Sequence, residues 1–267
     1  MDSNCLRILF SGLLDMVKVR LIPTVLLMNG RMVKTKQFDS YRDVGNPTTV
    51  ARVYDAQHAD ELVFLDITAT TDERHFLLET IREVAQECFI PITAGGGIQS
   101  LNQARELLRN GADKVAINTH AIERPALINE IANAFGNSTV LVSIDYKQNA
   151  AGMPEVHTHR GQKPTGLHPV AWAKEVEKRG AGEILLTSID REGTMTGYDV
   201  ETLRVVADAV EIPIIANGGV GTVQDFVDGV QKGHASAVAA ASIFHFTDQS
   251  IFKAHSHMKE KGLSVRR

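Results

Sequence analysis

The sequence predicts one closed α/β barrel, eight parallel strands each followed by a helix. Two observations carry this. The first is an internal echo at a constant offset of 122 residues. Glu61-Leu-Val-Phe-Leu returns as Glu183-Ile-Leu-Leu, Ile90-Pro91-Ile92 as Ile212-Pro213-Ile214, Gly96-Gly97 as Gly218-Gly219, and Gly111 as Gly233. One offset shared by strands, turns and helix ends marks two similar halves of one architecture. The second is the spacing of apolar, β-branched runs at 19–27, 62–67, 90–94, 114–118, 140–145, 184–189, 212–216 and 237–241. Their near-continuous hydrophobicity suits parallel strands covered on both faces. Helical stretches separate them. Eight such alternations with a half-repeat favour a single (β/α)8, or TIM, barrel over an open doubly wound sheet.

Each element has its own punctuation. The first strand ends at Asn29-Gly30, a strong hairpin signal, so an excursion precedes the first helix. Pro47 suits the first turn of that helix, as do Pro125 and Pro169 in later ones. Thr70 with Glu73, Ser100 with Gln103, and Thr222 with Asp225 read as N-terminal caps, the first two of capping-box form. Gly111, Gly136, Gly180 and Gly233 suit helix C-terminal caps. After the fifth strand, 152–164 contains Glu155-Val-His-Thr-His159, which alternates like a second excursion hairpin. Both excursions lie at strand C-terminal ends, the face where such barrels carry their sites, and are candidate lids.

At 267 residues and net charge −4, the chain can bury a sizeable core and has no general attraction for nucleic acid or an anionic membrane. No apolar run reaches transmembrane length. Two cysteines, Cys5 and Cys88, cannot form a disulfide framework and fit the reducing cytoplasm. Residues 1–15 read as an extension, expected to be poorly ordered, ahead of a barrel over 16–267. They lack a basic leader followed by a small-residue cleavage site.

Two turns suggest phosphate binding. Gly95-Gly96-Gly97 follows the third strand and Asn118-Thr119 ends the fourth; Gly218-Gly219 follows the seventh and Ala241-Ser242 the eighth. Glycines let backbone N–H groups approach an anion closely, and a following helix start favours negative charge. Matched turns in both halves imply a phosphorylated ligand with an anion at each end, or two anions. At the opposite end, Arg20, Glu61, Lys114 and Glu183 all fall at strand starts. Charges directed into a barrel mouth are costly unless paired, and two acids with two bases can neutralise one another. Spacing leaves open whether they form a plug or a gate.

These motifs carry a resemblance. DELVFLDIT at 60–68, GGGI at 95–98, GADKVAINT at 111–119, GAGEILLTSIDREGT at 180–194 and SIFHF at 242–246 make residues 17–266 similar to HisF, the cyclase subunit of imidazole glycerol phosphate synthase. The resemblance implies a heterodimer with a HisH-like glutaminase on the barrel bottom. Ammonia would pass a gate at Arg20, Glu61, Lys114 and Glu183, beside a docking residue at Asp113. It also implies a catalytic Asp145 and ligand contacts from Lys34, Asp66, Gly96, Gly97, Asn118, Thr119, Thr187, Gly218, Gly219, Ala241 and Ser242, with no cofactor.

Two departures matter. The cyclase uses an aspartate at the end of each of strands one and five. The fifth-strand residue stands as Asp145, but the first falls on Leu26, which cannot transfer a proton. Met28 stands where the family has lysine, and Glu192 where it has aspartate. This pattern resembles a HisF-like branch associated with surface-polysaccharide and acidic-sugar pathways. There the barrel passes ammonia to an N-acetyl-sugar amidotransferase that converts an acetamido to an acetamidino group. The readings left open are that role, a functioning cyclase in histidine biosynthesis, and a non-catalytic glutaminase-docking scaffold. His157, His159, His255 and His257 show no third ligand in sequence, and no metal is expected.

Overall fold

The structure is a computed structural model that describes residues 18–68 and 74–266. Residues 1–15 and the predicted Thr70–Glu73 cap lie outside those residues. Eight parallel strands close a barrel. They are β1 (Arg20–Met28), β4 (Leu62–Asp66), β5 (Ile92–Gly95), β6 (Lys114–Ile117), β7 (Val140–Gln148), β10 (Glu183–Ser188), β11 (Ile214–Asn217) and β12 (Ala237–Ala240). Each pairs with the next; β1 pairs with β12, and β7 pairs with β10. The single (β/α)8 barrel predicted from the repeat is the fold observed.

The helices run outside it: α1 (Pro47–Ala56), α2 (Arg74–Glu87), α3 (Leu101–Arg109), α4 (Thr119–Glu123), α5 (Ala126–Phe135), α6 (Pro169–Lys178), α7 (Val200–Ala207), α8 (Val223–Gln231), α9 (Ser242–Phe246) and α10 (Ile251–Glu260). Two of these, α4 and α9, are short extra helices after the fourth and eighth barrel strands, at matched places in the two halves. Pro47 opens α1, as the sequence implied, and Asn46 caps that helix by accepting from Thr49 N–H. Ser100 accepts from Gln103 N–H, but the Gln103 side chain reaches Gln99 N–H rather than that of Ser100, so the box is displaced by one residue. At α8 the Asp225 carboxylate accepts from both Gly221 and Thr222 N–H. Gly233 corrects the reading of that helix's other end. It is His234 that takes the left-handed conformation there, while a Cβ on Gly233 would collide with Leu203.

β5 and β11 begin two residues later than predicted. Pro91 and Pro213 have no N–H to donate, so only their carbonyls join the ladder, accepting from Leu62 and Ile184. β7 outlasts its predicted end because Tyr146–Gln148 pair onward with β8 (Pro154–Thr158), which pairs with β9 (Lys163–Pro164). The first excursion is likewise a hairpin of β2 (Arg31–Lys36) and β3 (Asp39–Gly45). Apolar side chains on the outer barrel face and the inward helix faces form the main core. A second, separate cluster fills the barrel interior: Ile22, Val63, Ala116, Leu141, Leu185, Ile215, Ala237 and Ala239. Among the described residues no helix is long and apolar enough to cross a membrane.

Candidate functional site

Strand parity stacks the barrel interior in layers, since residues two apart on a strand share a face. At the bottom, Arg20 bridges Glu61 and Glu183, each at 2.8 Å, and Lys114 bridges the same two acids at 2.9 and 2.8 Å. The four residues predicted to meet there form a closed ring of alternating charge. Thr93, which the sequence reading missed, donates its hydroxyl to Glu61 at 2.6 Å. Its position two residues before Gly95 on β5 was the available signal. Above the ring lies the apolar belt, and above the belt a polar layer that opens upward.

That opening is a cavity of about 610 Å³ at the strand C-terminal ends. Its wall brings together Asp66, Gly96, Gly97, Asn118, Thr119, Asp145, Thr187, Gly218, Gly219, Ala241 and Ser242, from both halves of the chain. Lys34 is the exception among the predicted contacts. It is buried off the cavity wall, with its ammonium 3.4 Å from Glu192. Burial pushes the Lys34 amine below its ordinary range, and the facing Glu192 carboxylate partly offsets this. Glu192 does line the cavity, so Lys34 neutralises the wall from behind.

Asp145 sits at the floor, 8% exposed, with Asn118 donating to Oδ2 at 2.5 Å and Ser143 to Oδ1 at 3.2 Å. Burial raises its carboxyl to about 6, against the lowering effect of donors on Ser143, Asn118 and Thr187. A carboxyl so placed exchanges a proton near neutral pH, as a general acid or base requires. Asn118 Oδ1 and Thr35 Oγ1 are buried on the wall without a partner, so a ligand with N–H or O–H groups would find acceptors there. Asp66 accepts from Thr68 N–H and its hydroxyl. Leu26 also lines the cavity, beside Leu65, so hydrocarbon stands at the position where the resemblance implied a second carboxylate.

The glycine turns are shaped by close backbone approach. Gly96 has φ +136°, and a Cβ there would lie 2.5 Å from the Asp66 carbonyl oxygen. Its counterpart Gly218, at φ +93°, would meet the Ser188 carbonyl at 2.8 Å. Residues 66 and 188 are themselves one repeat apart, so the same packing is made twice, and no side chain but hydrogen fits either place.

Both excursions reach the mouth. Gln37 N–H and Phe38 N–H bond Glu192, through its carbonyl and carboxylate, and Gln37 Nε2 bonds the Asp190 carbonyl, all within 3.3 Å. These bonds pin the β2–β3 turn to the loop after β10. The β8–β9 turn is pinned by His159 N–H donating to the Thr119 hydroxyl at 3.2 Å. Phe38, His159, Arg160 and Gln162 consequently line the cavity. None of these four was named as a ligand contact from the sequence, although His159, Arg160 and Gln162 lie in the excursion read as a candidate lid.

At the bottom rim, Asp113 is exposed and its carboxylate accepts Ile92 N–H at 2.8 Å. It therefore caps the start of β5, which the sequence reading did not anticipate. Asp60 does the same for β1, accepting Leu21 N–H at 2.7 Å while His255 Nε2 lies 3.0 Å away. His257 instead faces Gln224. A duplicated barrel, a charged ring below and paired glycine turns above agree with a family assignment made independently. The model for the family described as Histidine biosynthesis protein matches residues 20–250, from the start of β1 to the cap of α10, and the chain is a member of that family of HisF- and HisA-type barrels.

Proposed function

We propose that this protein is the HisF-like barrel subunit of a glutamine-dependent amidotransferase system. It takes ammonia from a HisH-like glutaminase at the barrel bottom and delivers it to the top, without performing the cyclase reaction itself. The observation that carries this reading is Leu26 on the cavity wall opposite intact machinery. Acid–base chemistry that needs two carboxylates has only Asp145 at the matching positions, while the ionic ring and the axial apolar belt remain. Three of the eight belt residues are alanines, the smallest apolar side chains, which supports an axial route for a molecule as small as ammonia. The ring balances two acids with two bases, so a neutral molecule meets no net charge on entry. The paired glycine turns support a phosphorylated ligand held across the cavity, with Asp145 and the unpartnered Asn118 Oδ1 facing its middle.

The acceptor in this reading is an acetamido sugar of a surface-polysaccharide pathway, handled by an N-acetyl-sugar amidotransferase. That step rests on the branch resemblance at Leu26, Met28 and Glu192. The test is ammonia-dependent turnover of the histidine-pathway bisphosphate by the purified protein. Loss of one of two proton-transfer groups lowers such rates by about 10²–10⁴-fold. A rate like that of an ordinary cyclase, or rescue of a cyclase-deficient strain, refutes the reading. Stimulation of a HisH-like glutaminase by this protein is the positive result expected.

A further inference from the structure

We propose that Arg160 makes the two glycine turns unequal. The first-half turn, at Gly97 and Thr119, takes a dianionic phosphomonoester, and the second-half turn, at Gly219 and Ser242, takes an end of lower charge. This rests on the phosphate reading above and adds to it the charge distribution of the ligand. Arg160 is the only lysine or arginine among the described residues that line the cavity. No described residue forms an ion pair or hydrogen bond with its side chain. Three carboxylates share the wall, Asp66, Asp145 and Glu192, so a free guanidinium there is the obvious seat for a ligand's strongest charge.

Its location assigns it to one half. The preceding residue, His159, is held by the Thr119 hydroxyl, which belongs to the first-half turn. The second half has no equivalent. Arg191 stands beside Gly219, but its guanidinium donates to Thr196 and does not line the cavity. His245 is pushed down to about 4 by burial and by Lys34, and so is neutral at pH 7; Lys34 itself faces Glu192.

Turn chemistry gives an independent reason to read Arg160 as a ligand residue. Gln162 N–H closes the turn onto the His159 carbonyl, and the central residues Arg160 and Gly161 have φ of +56° and +75°. Such turns favour asparagine, aspartate or glycine at the first central place, and arginine is disfavoured there. Gly161 in turn lies flush against Ile189 and Phe38, which fixes the turn over the mouth. An arginine held in an unfavourable conformation, aimed at a cavity and unpaired, is explained by a ligand and not by the hairpin.

The experiment is a titration with inorganic phosphate followed by the amide NMR signals of Gly97 and Gly219 in the full chain. In the unmodified protein both signals should move, Gly97 at the lower concentration. Arg160→Asn should weaken the Gly97 response about tenfold at low salt and leave Gly219 unchanged. Its thermal stability should be equal or higher, because asparagine suits the turn. Arg160→Lys should keep part of the difference, and added salt should narrow it. If both signals move but Arg160→Asn alters neither, or alters both equally, the inequality proposed here is wrong while the phosphate reading stands. If neither signal moves in the unmodified protein, the phosphate reading fails and takes this inference with it.

Discussion

Asp145→Asn should stabilise the protein above pH 6 and leave it unchanged near pH 4. Burial raises the Asp145 carboxyl from 3.8 to about 6 in the folded protein. The native state therefore holds this proton more tightly than the unfolded chain does. The stability so contributed is complete below about pH 4 and is lost as pH rises through about 6. A rise of that size sets a ceiling of about 3 kcal/mol on the penalty carried at pH 8. Solvent screens little of it, because the side chain is 8% exposed. The neutral amide has the same shape and removes the buried charge. Its nitrogen would oppose Asn118 Nδ2, but the unpartnered Asn118 Oδ1 offers a remedy: turning the Asn118 amide over presents an acceptor and retains the bond. Thermal unfolding at pH 4, 6 and 8 reads the effect. For a chain of this size each kcal/mol moves the midpoint by about 2–4 °C, so a gain of several degrees is expected at pH 8. A variant less stable than its parent at pH 8, or one with the same difference at pH 4 and pH 8, refutes the reasoning.

Lys114→Met leaves Glu61 and Glu183 with Arg20 alone. Because Lys114 is 16% exposed, the loss should be about 2–4 kcal/mol, toward the lower side of a fully buried pair; unfolding midpoints of the variant and its parent check this, and an unchanged midpoint would contradict it. Asp113→Ala should cost about 1 kcal/mol through the lost Ile92 N–H acceptor, whereas Asp113→Asn keeps an acceptor and should cost little. If glutaminase stimulation falls in neither variant, Asp113 has no part in docking. Gly219→Ala forces a Cβ onto the Gly197 carbonyl at φ +109° and should lower stability by about 2 kcal/mol or more, abolishing the phosphate response of the second-half turn but not of the first; equal responses at both turns would contradict this.

How much was legible in the sequence divides by the kind of signal each feature leaves. Barrel strands announce themselves because both faces are buried, so β4 and β10 read as near-continuous apolar runs one repeat apart. The ionic ring was legible because charges at the starts of such runs have only the barrel mouth to occupy. What was not legible depends on contacts between distant turns. That Lys34 serves Glu192 rather than the cavity is set by the β2–β3 hairpin folding onto the loop after β10, a contact 158 residues apart. Asp113 reads as a rim charge until the Ile92 N–H above it is seen. Ser143 and Asn217 escaped notice although parity marks them, Ser143 two residues before Asp145 and Asn217 one repeat after Gly95. Small polar residues inside an apolar run are too common to single out without a partner in view. Arg160 lay within the 152–164 excursion read as a candidate lid, but nothing in the sequence singled it out there.

The ring also shows how duplication and chemistry interact. Glu61 and Glu183 are repeat-related, so two copies of one half bring two carboxylates to the same mouth as a consequence of symmetry alone. Unpaired, they would repel at close range and resist burial. The cations that neutralise them are not repeat-related. The inward position that matches Lys114 in the other half is Ala237, and the one that matches Arg20 is Thr139. The acids are thus inherited in duplicate, and the bases are placed singly, on β1 and β6. The top face repeats the pattern: the glycine turns come in duplicate, while Asp145, Leu26 and Arg160 do not. In both layers the symmetric residues build the scaffold of the site, and the residues that break the symmetry set which charge it accepts.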